Sequence, residues 1–177
     1  MCIRDRNSPV RSIGLDKSRI PFPLPGFVPV RNAAELCPGI TLITDIPRLE
    51  GNFQAVKYFF LDREGLSPDL VLDDACLAVD TAQGLVVVLG CCHSGLANTL
   101  ERAAQVMGVK EFHAVLGGLH LIGAGTGPIQ ESARALEKFQ VQRILAGHCT
   151  GESEAGQFAN LLPGRVFPLG AGLVVDF

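Results

Sequence analysis

Three of the four histidines in the chain, His93, His120 and His148, follow one another at intervals of 27 and 28 residues. Each stands in a glycine-containing turn at the end of an apolar run: GLVVVLGCCHSG, FHAVLGGLHL and VQRILAGHCTG. Equal intervals in like settings mean equivalent positions in successive structural units. Neutral imidazole is the commonest protein ligand for zinc and similar divalent ions, and a neighbouring glycine lets the backbone bend so that the ring reaches a shared ion. His93, His148 and His120 therefore read as candidate metal ligands. His113, at the start of its apolar run, reads as a hydrogen-bonded structural residue.

Two other chemistries compete. Cys91 and Cys92 beside His93, and Cys149 beside His148, could pair a thiol nucleophile with an imidazole base, although sequence neighbours often point apart and buried free cysteine is usually inert packing. The loop from Gly123 to Gly127 precedes a helical pattern and could receive a phosphate on free backbone N–H groups, either in a non-catalytic binding module or as a cradle for a substrate phosphate, which makes Gly123, Gly125 and Thr126 candidate substrate-binding residues. Local structure accounts for the remaining polar residues of this region. Thr126 is placed to cap the second helix with Pro128 in its first turn. Asn98 and Thr99 belong to the first helix, and Glu152 and Glu154 suit the positive end of the third. Asp73 and Asp74 could lie near the site, but read first as a solvated pair of turn carboxylates.

The elements that must position the histidines repeat. An apolar strand runs into each histidine turn, and a helix-period segment follows: Leu96, Leu100, Ala103 and Met107; then Ile129, Ala133, Leu136 and Phe139 or Gln140; then Ala155, Phe158, Ala159 and Leu162. Strand, helix and next strand make a crossover that lays the strands parallel, so the three histidines converge on the rim formed by the strands' carboxyl ends. Upstream, Ile40 to Thr44 and Phe53 to Leu61 read as strands, and Ala75 to Val79 with Leu85 to Leu89 as a hairpin closed over Asp80 to Gly84. Downstream, Arg165 to Leu169 and Leu173 to Phe177 read as two short strands around a glycine turn. Residues 7–38 carry Pro21, Pro23, Pro25, Pro29 and Pro38, and read as extended loop material.

Composition narrows the partners. The chain has 177 residues, 47% apolar and 19% charged, which is ordinary for one globular domain and needs no metal or disulfide merely to fold. A formal charge of −3 with scattered basic residues argues against nucleic acid. Apolar runs such as Leu85 to Leu89 fall far short of the ~20 residues of a membrane-spanning helix. Six cysteines, two of them adjacent, do not space like a disulfide scaffold, and no secretory signal opens the chain, so a reducing cytoplasm is expected. Residues 1–6, MCIRDR, back-translate into a transposon-end adapter used in shotgun sequencing libraries. They are set aside as a scar, with the gene expected to have been cut upstream.

GLVVVLGCCHSGLANTLERA, AVLGGLHL and ILAGHCTG, in this order and spacing, resemble the second half of a metallo-β-lactamase-fold protein. The similarity is to the subgroup labelled dihydropterin-ribofuranosylaminobenzene-phosphate synthase-like, and PGITLITDIPR and DDACLAV resemble it too. The resemblance implies an α/β fold: residues 39–177 would form the C-terminal half of a four-layer αβ/βα sandwich, a mixed sheet with helices on one face. It implies a divalent metal, zinc, as one or two ions. His93 would be a ligand of the first ion and His148 of the second. His120 would stand where the superfamily has a bridging Asp, acting either as a ligand or as an imidazolium donor to substrate. The implied activity is that of a metal-dependent hydrolase, in which metal-activated water attacks an ester or phosphoester-type bond of a small molecule. The alternative is a pterin-type transfer that releases pyrophosphate. The superfamily's first-half signature, H-x-H-x-D-H, is absent. The chain is therefore expected to lack the N-terminal half of its domain, to be inactive alone and to expose the sheet face which that half would cover.

Overall fold

The computed structural model describes residues 2–3, 11–12 and 26–177. A seven-stranded mixed sheet carries three helices. Its strands are β3 (Ala33–Cys37), β4 (Ile40–Ile43), β6 (Cys76–Thr81), β7 (Gly84–Leu89), β8 (Ala114–Gly118), β9 (Arg143–Gly147) and β10 (Val166–Pro168), in the order β10-β9-β8-β7-β6-β4-β3. The helices α1 (Leu96–Met107), α2 (Thr126–Lys138) and α3 (Glu152–Leu161) fill the three crossovers. β7, β8, β9 and β10 pair in parallel, and β3, β4, β6 and β7 pair antiparallel. A small second sheet joins β1 (Cys2–Ile3), β2 (Arg11–Ser12) and β5 (Phe59–Phe60).

The helix-period residues do the packing expected of them. Leu96, Leu100 and Ala103 of α1, Ile129, Ala133 and Leu136 of α2, and Phe158 of α3 are buried in one core. The alternating residues Leu85, Val87 and Leu89 of β7 point into that core with Val115 of β8 and Ile144 of β9. The other sheet face is apolar as well: Leu42, Leu77, Val88, Leu116, Leu145 and Phe167 stand side by side across six strands. Strands apolar on both faces are what an α/β sheet covered on both sides requires.

Several expectations change. Ala33–Cys37 is a strand rather than loop, because Pro38 and Gly39 (φ +80°) close a tight turn that folds it back on β4. Most of the rest of the proline-rich segment lies outside the described residues. Of Phe53 to Leu61 only Phe59–Phe60 is strand. Its backbone groups instead bond partners outside any strand, as where the Phe53 N–H meets the Glu131 carboxylate of α2 and the Ala55 N–H meets the His93 carbonyl, and Tyr58 turns the chain at φ +72°. The β6–β7 hairpin is tighter than expected: Thr81 pairs with Gly84, and only Ala82 and Gln83 lie between. Gly125, not Thr126, caps α2, and Thr126 is the first helical residue. Leu173 to Phe177 forms no strand; its end packs instead at the foot of β9, where the Arg143 guanidinium lies 5.3 Å from the Phe177 ring.

Candidate metal centre

The three parallel strands β7, β8 and β9 deliver His93, His120 and His148 to the same rim. Each arrives through a backbone reversal: Cys92, His120 and His148 hold φ of +58°, +44° and +52°, a region non-glycine residues seldom occupy. Such conformations persist where the surroundings over-determine them, and they cluster at functional sites.

His93 is the most tightly placed. Its Nδ1 donates to the Ala55 carbonyl at 2.7 Å, and the Ala55 N–H donates back to the His93 carbonyl at 2.9 Å. A carbonyl only accepts, so Nδ1 carries the proton, and in the neutral ring Nε2 keeps its lone pair free. This is the outer hydrogen bond by which ligating histidines are oriented. Arg48 supports the same loop, donating to the His93 carbonyl at 3.2 Å and to the Val71 carbonyl at 2.8 Å. Asp74, from the 71–74 segment so anchored, accepts the Ser94 N–H at 2.7 Å.

His120 stacks beside His93, with ring centroids 4.4 Å apart and Phe59 against both. Its Nδ1 is buried and without a hydrogen-bond partner. Burial, reinforced by the nearby His93 and His148, lowers its pKa to about 4. The lowered value favours the neutral ring, the form in which an imidazole ligates a metal.

Two cysteines complete the cluster. Cys91 Sγ lies 3.5 Å from Nδ1 of His148, and the Cys149 thiol reaches the Cys91 carbonyl at 3.7 Å. Gly118 makes room for it: a Cβ there would stand 2.6 Å from Cys149 Sγ. Candidate ligand atoms of Cys91, His93 and His120 lie within 4.8 Å of one another, as do those of Cys91, His148 and Cys149. Both rings of the expected pair, His93 and His148, thus meet at one thiol on one side of the rim.

Two of the competing thiols, Cys92 and Cys149, are made less nucleophilic by their surroundings. Burial pushes the Cys149 thiol up to about 11, and that of Cys92, fully buried against Thr99 Oγ1, higher still. The glycine loop is partly engaged: the Gly123 N–H donates to Glu154 at 3.0 Å and the Ala124 N–H to the Leu121 carbonyl. Gly123 nonetheless lines, with His120, Lys57, Tyr58 and Gln54, a cleft of about 220 Å³ beside the cluster. A second cleft of about 360 Å³ opens between His148, α3 and β10. His113 lies at the opposite end of the sheet, against Phe177. Asp73 is exposed, while Asp74 is half-buried. Sequence reasoning assigned no metal role to Cys91 or Cys149 and no role to Arg48. The signal for the cysteines was their adjacency to histidine in GCCHSG and GHCTG.

No family model matches the chain. It is 32% identical over 151 residues to the 7,8-dihydropterin-6-methyl-4-(β-D-ribofuranosyl)-aminobenzene-5′-phosphate synthase of Methanocaldococcus jannaschii, across 83% of this chain and 51% of that protein. It is 33% identical over 103 residues to an uncharacterized protein of the same organism, across 55% of this chain and 36% of the other. The fold superimposes on a solved metal-dependent hydrolase of the β-lactamase superfamily with a TM-score of 0.74 and 28% identity, covering 84% of this chain and 57% of that one. The chain spans about half the length of the synthase. By fold the chain matches the metallo-β-lactamase superfamily, and in sequence it is similar to the dihydropterin-ribofuranosylaminobenzene-phosphate synthase.

Proposed function

We propose that the protein belongs to a metal-dependent enzyme whose centre is held in this chain by His93, His120 and His148, with zinc as the ion and a small, phosphate-bearing molecule as substrate. The observation that carries the reading is the Nδ1 bond of His93 to the Ala55 carbonyl, because it leaves Nε2 as a lone pair aimed into a cluster of further donors. A divalent ion bound there supplies Lewis acidity, acidifying water and polarising the bond under attack. The chain's own contribution is positioning: Ala55 and Arg48 hold His93, the packed Phe59 excludes water from one side of the rings, and the clefts on either side leave room for substrate. Lys57, lining the His120 cleft, offers a cation to an anionic group.

The hydrolase reading takes water as the nucleophile. The transfer reading, in which an aminobenzene derivative displaces pyrophosphate from a pterin, is favoured by the similarity to the synthase. Assays of phosphate release from phosphoesters, and of pyrophosphate release from a pterin diphosphate with an aminobenzene acceptor, separate the two. We expect this chain alone to show no turnover, and a chain extended to the synthase's length to show turnover that a chelator abolishes. Turnover undiminished by chelation and lost on alkylation would instead favour thiol chemistry by the Cys91–His148 pair.

A further inference from the structure

Cys91 faces two groups of donors at once. One group is His93 and His120, and the other is His148 and Cys149. Its neighbour Cys92 turns the other way, into the core, through the reversal at φ +58°. The adjacent cysteines thus divide, one to packing and one to the rim.

The geometry suits ligation. With zinc–sulfur and zinc–nitrogen bonds of about 2.3 and 2.0–2.1 Å, the sulfur–nitrogen edge of a tetrahedral site is about 3.6 Å. The Cys91–His148 separation is 3.5 Å. A thiol–imidazole hydrogen bond would have a similar length, so the distance alone does not decide. What decides is convergence: a simple acid–base pair needs no third or fourth donor, yet ligand atoms of Cys149 and of the two other imidazoles lie within 4.8 Å of the same sulfur. Gly118 is the one residue type that lets the Cys149 thiol approach.

We propose that Cys91 is a thiolate ligand shared by two adjoining ion positions, one completed by His93 and His120 and the other by His148 and Cys149. The centre is then a mixed sulfur and nitrogen site that selects thiophilic ions such as zinc and cobalt over magnesium or manganese. Each thiol releases its proton to solvent on ligation, and no oxidation is involved. The inference rests on the metal-centre reading above and goes further, to the sulfur ligands and ion selectivity.

The test is titration of the fully reduced chain with cobalt(II) in the absence of air. Visible ligand-field bands report an ordered cobalt site, and a near-ultraviolet sulfur-to-cobalt charge-transfer band reports thiolate ligation. The expected result is both bands in the parent, loss of half or more of the charge-transfer intensity in Cys91→Ser, a smaller loss in Cys149→Ser, and no change in Cys37→Ser, whose thiol is exposed on β3. Zinc should also protect Cys91 and Cys149, but not Cys37, from alkylation, a readout on the parent chain that needs no variant to fold. Visible bands without charge transfer, or intensity unchanged in a folded Cys91→Ser, would overturn the thiolate proposal and leave the histidine centre standing. Failure of the parent to bind either metal would overturn both.

Discussion

The residue-scale logic of the rim is that each putting-in-place is done by a group which cannot itself be the ligand. The Ala55 carbonyl selects the tautomer of His93, and Arg48 ties His93 to the 71–74 segment. Outer-shell partners of this kind typically govern metal affinity by 10–100-fold. Arg48→Ala should weaken zinc binding by about that factor in a competition titration, and should cost roughly 1 kcal/mol of stability in urea, since charge-assisted bonds are lost from a site that is partly open to solvent. A different carboxylate reports on pH. Asp62 accepts the backbone N–H groups of Leu66 and Ser67, and these bonds lower its pKa to about 2. Because the folded value is depressed, the loop's support is complete above the ordinary carboxylate range and fades as pH falls through about 2. The carboxyl resonance of Asp62 should therefore titrate near 2, with amide protection of Leu66 and Ser67 falling alongside.

At the scale of elements, the rim depends on strands that are packed too tightly to shift. A Cβ at Gly118 would meet Cys149 Sγ at 2.6 Å and the Gly90 carbonyl at 2.9 Å, so Gly118→Ala forces either the thiol or the strand end to move. Overpacking of this kind costs about 1–3 kcal/mol, and the displaced thiol should cost metal affinity as well. Leu100, fully buried where α1 meets the sheet, tests the scaffold separately. Leu100→Ala should lower stability by about 2–5 kcal/mol in denaturant melts. With metal present in excess, the Leu100 variant should keep the parent's cobalt spectrum and the Gly118 variant should not. That difference separates the loss of packing from the loss of the site.

For the whole molecule, a ligand that binds only the folded chain shifts its melting. Zinc at about a hundred times its dissociation constant adds roughly 2.7 kcal/mol, which for a domain of this size raises the thermal midpoint by about 5–10 °C. A chelator should reverse the shift, and calorimetry with and without zinc measures it. The second apolar sheet face gives a further expectation. Val86, Ala114 and Leu145 at its centre are buried, but Leu42, Leu77, Val88 and Leu116 are only half-buried. A surface of that kind favours association. Sedimentation of the chain should depend on concentration, and Leu77→Glu should weaken that dependence.

The repeat of strand, histidine turn and helix was legible in the amino acids because its period is local: apolar alternation, helical spacing and glycine each act over a few residues. That alone placed three imidazoles on one rim and the three helices on their residues. Segments whose polar groups bond distant partners were not legible. Phe53 to Tyr58 has strand-forming side chains, yet its backbone is claimed by Glu131 and His93 across the fold. Nor could adjacency in GCCHSG say which cysteine faces the rim. The reversal at Cys92 and the space beside Gly118 decided that, and both exist only once three separate strands lie side by side.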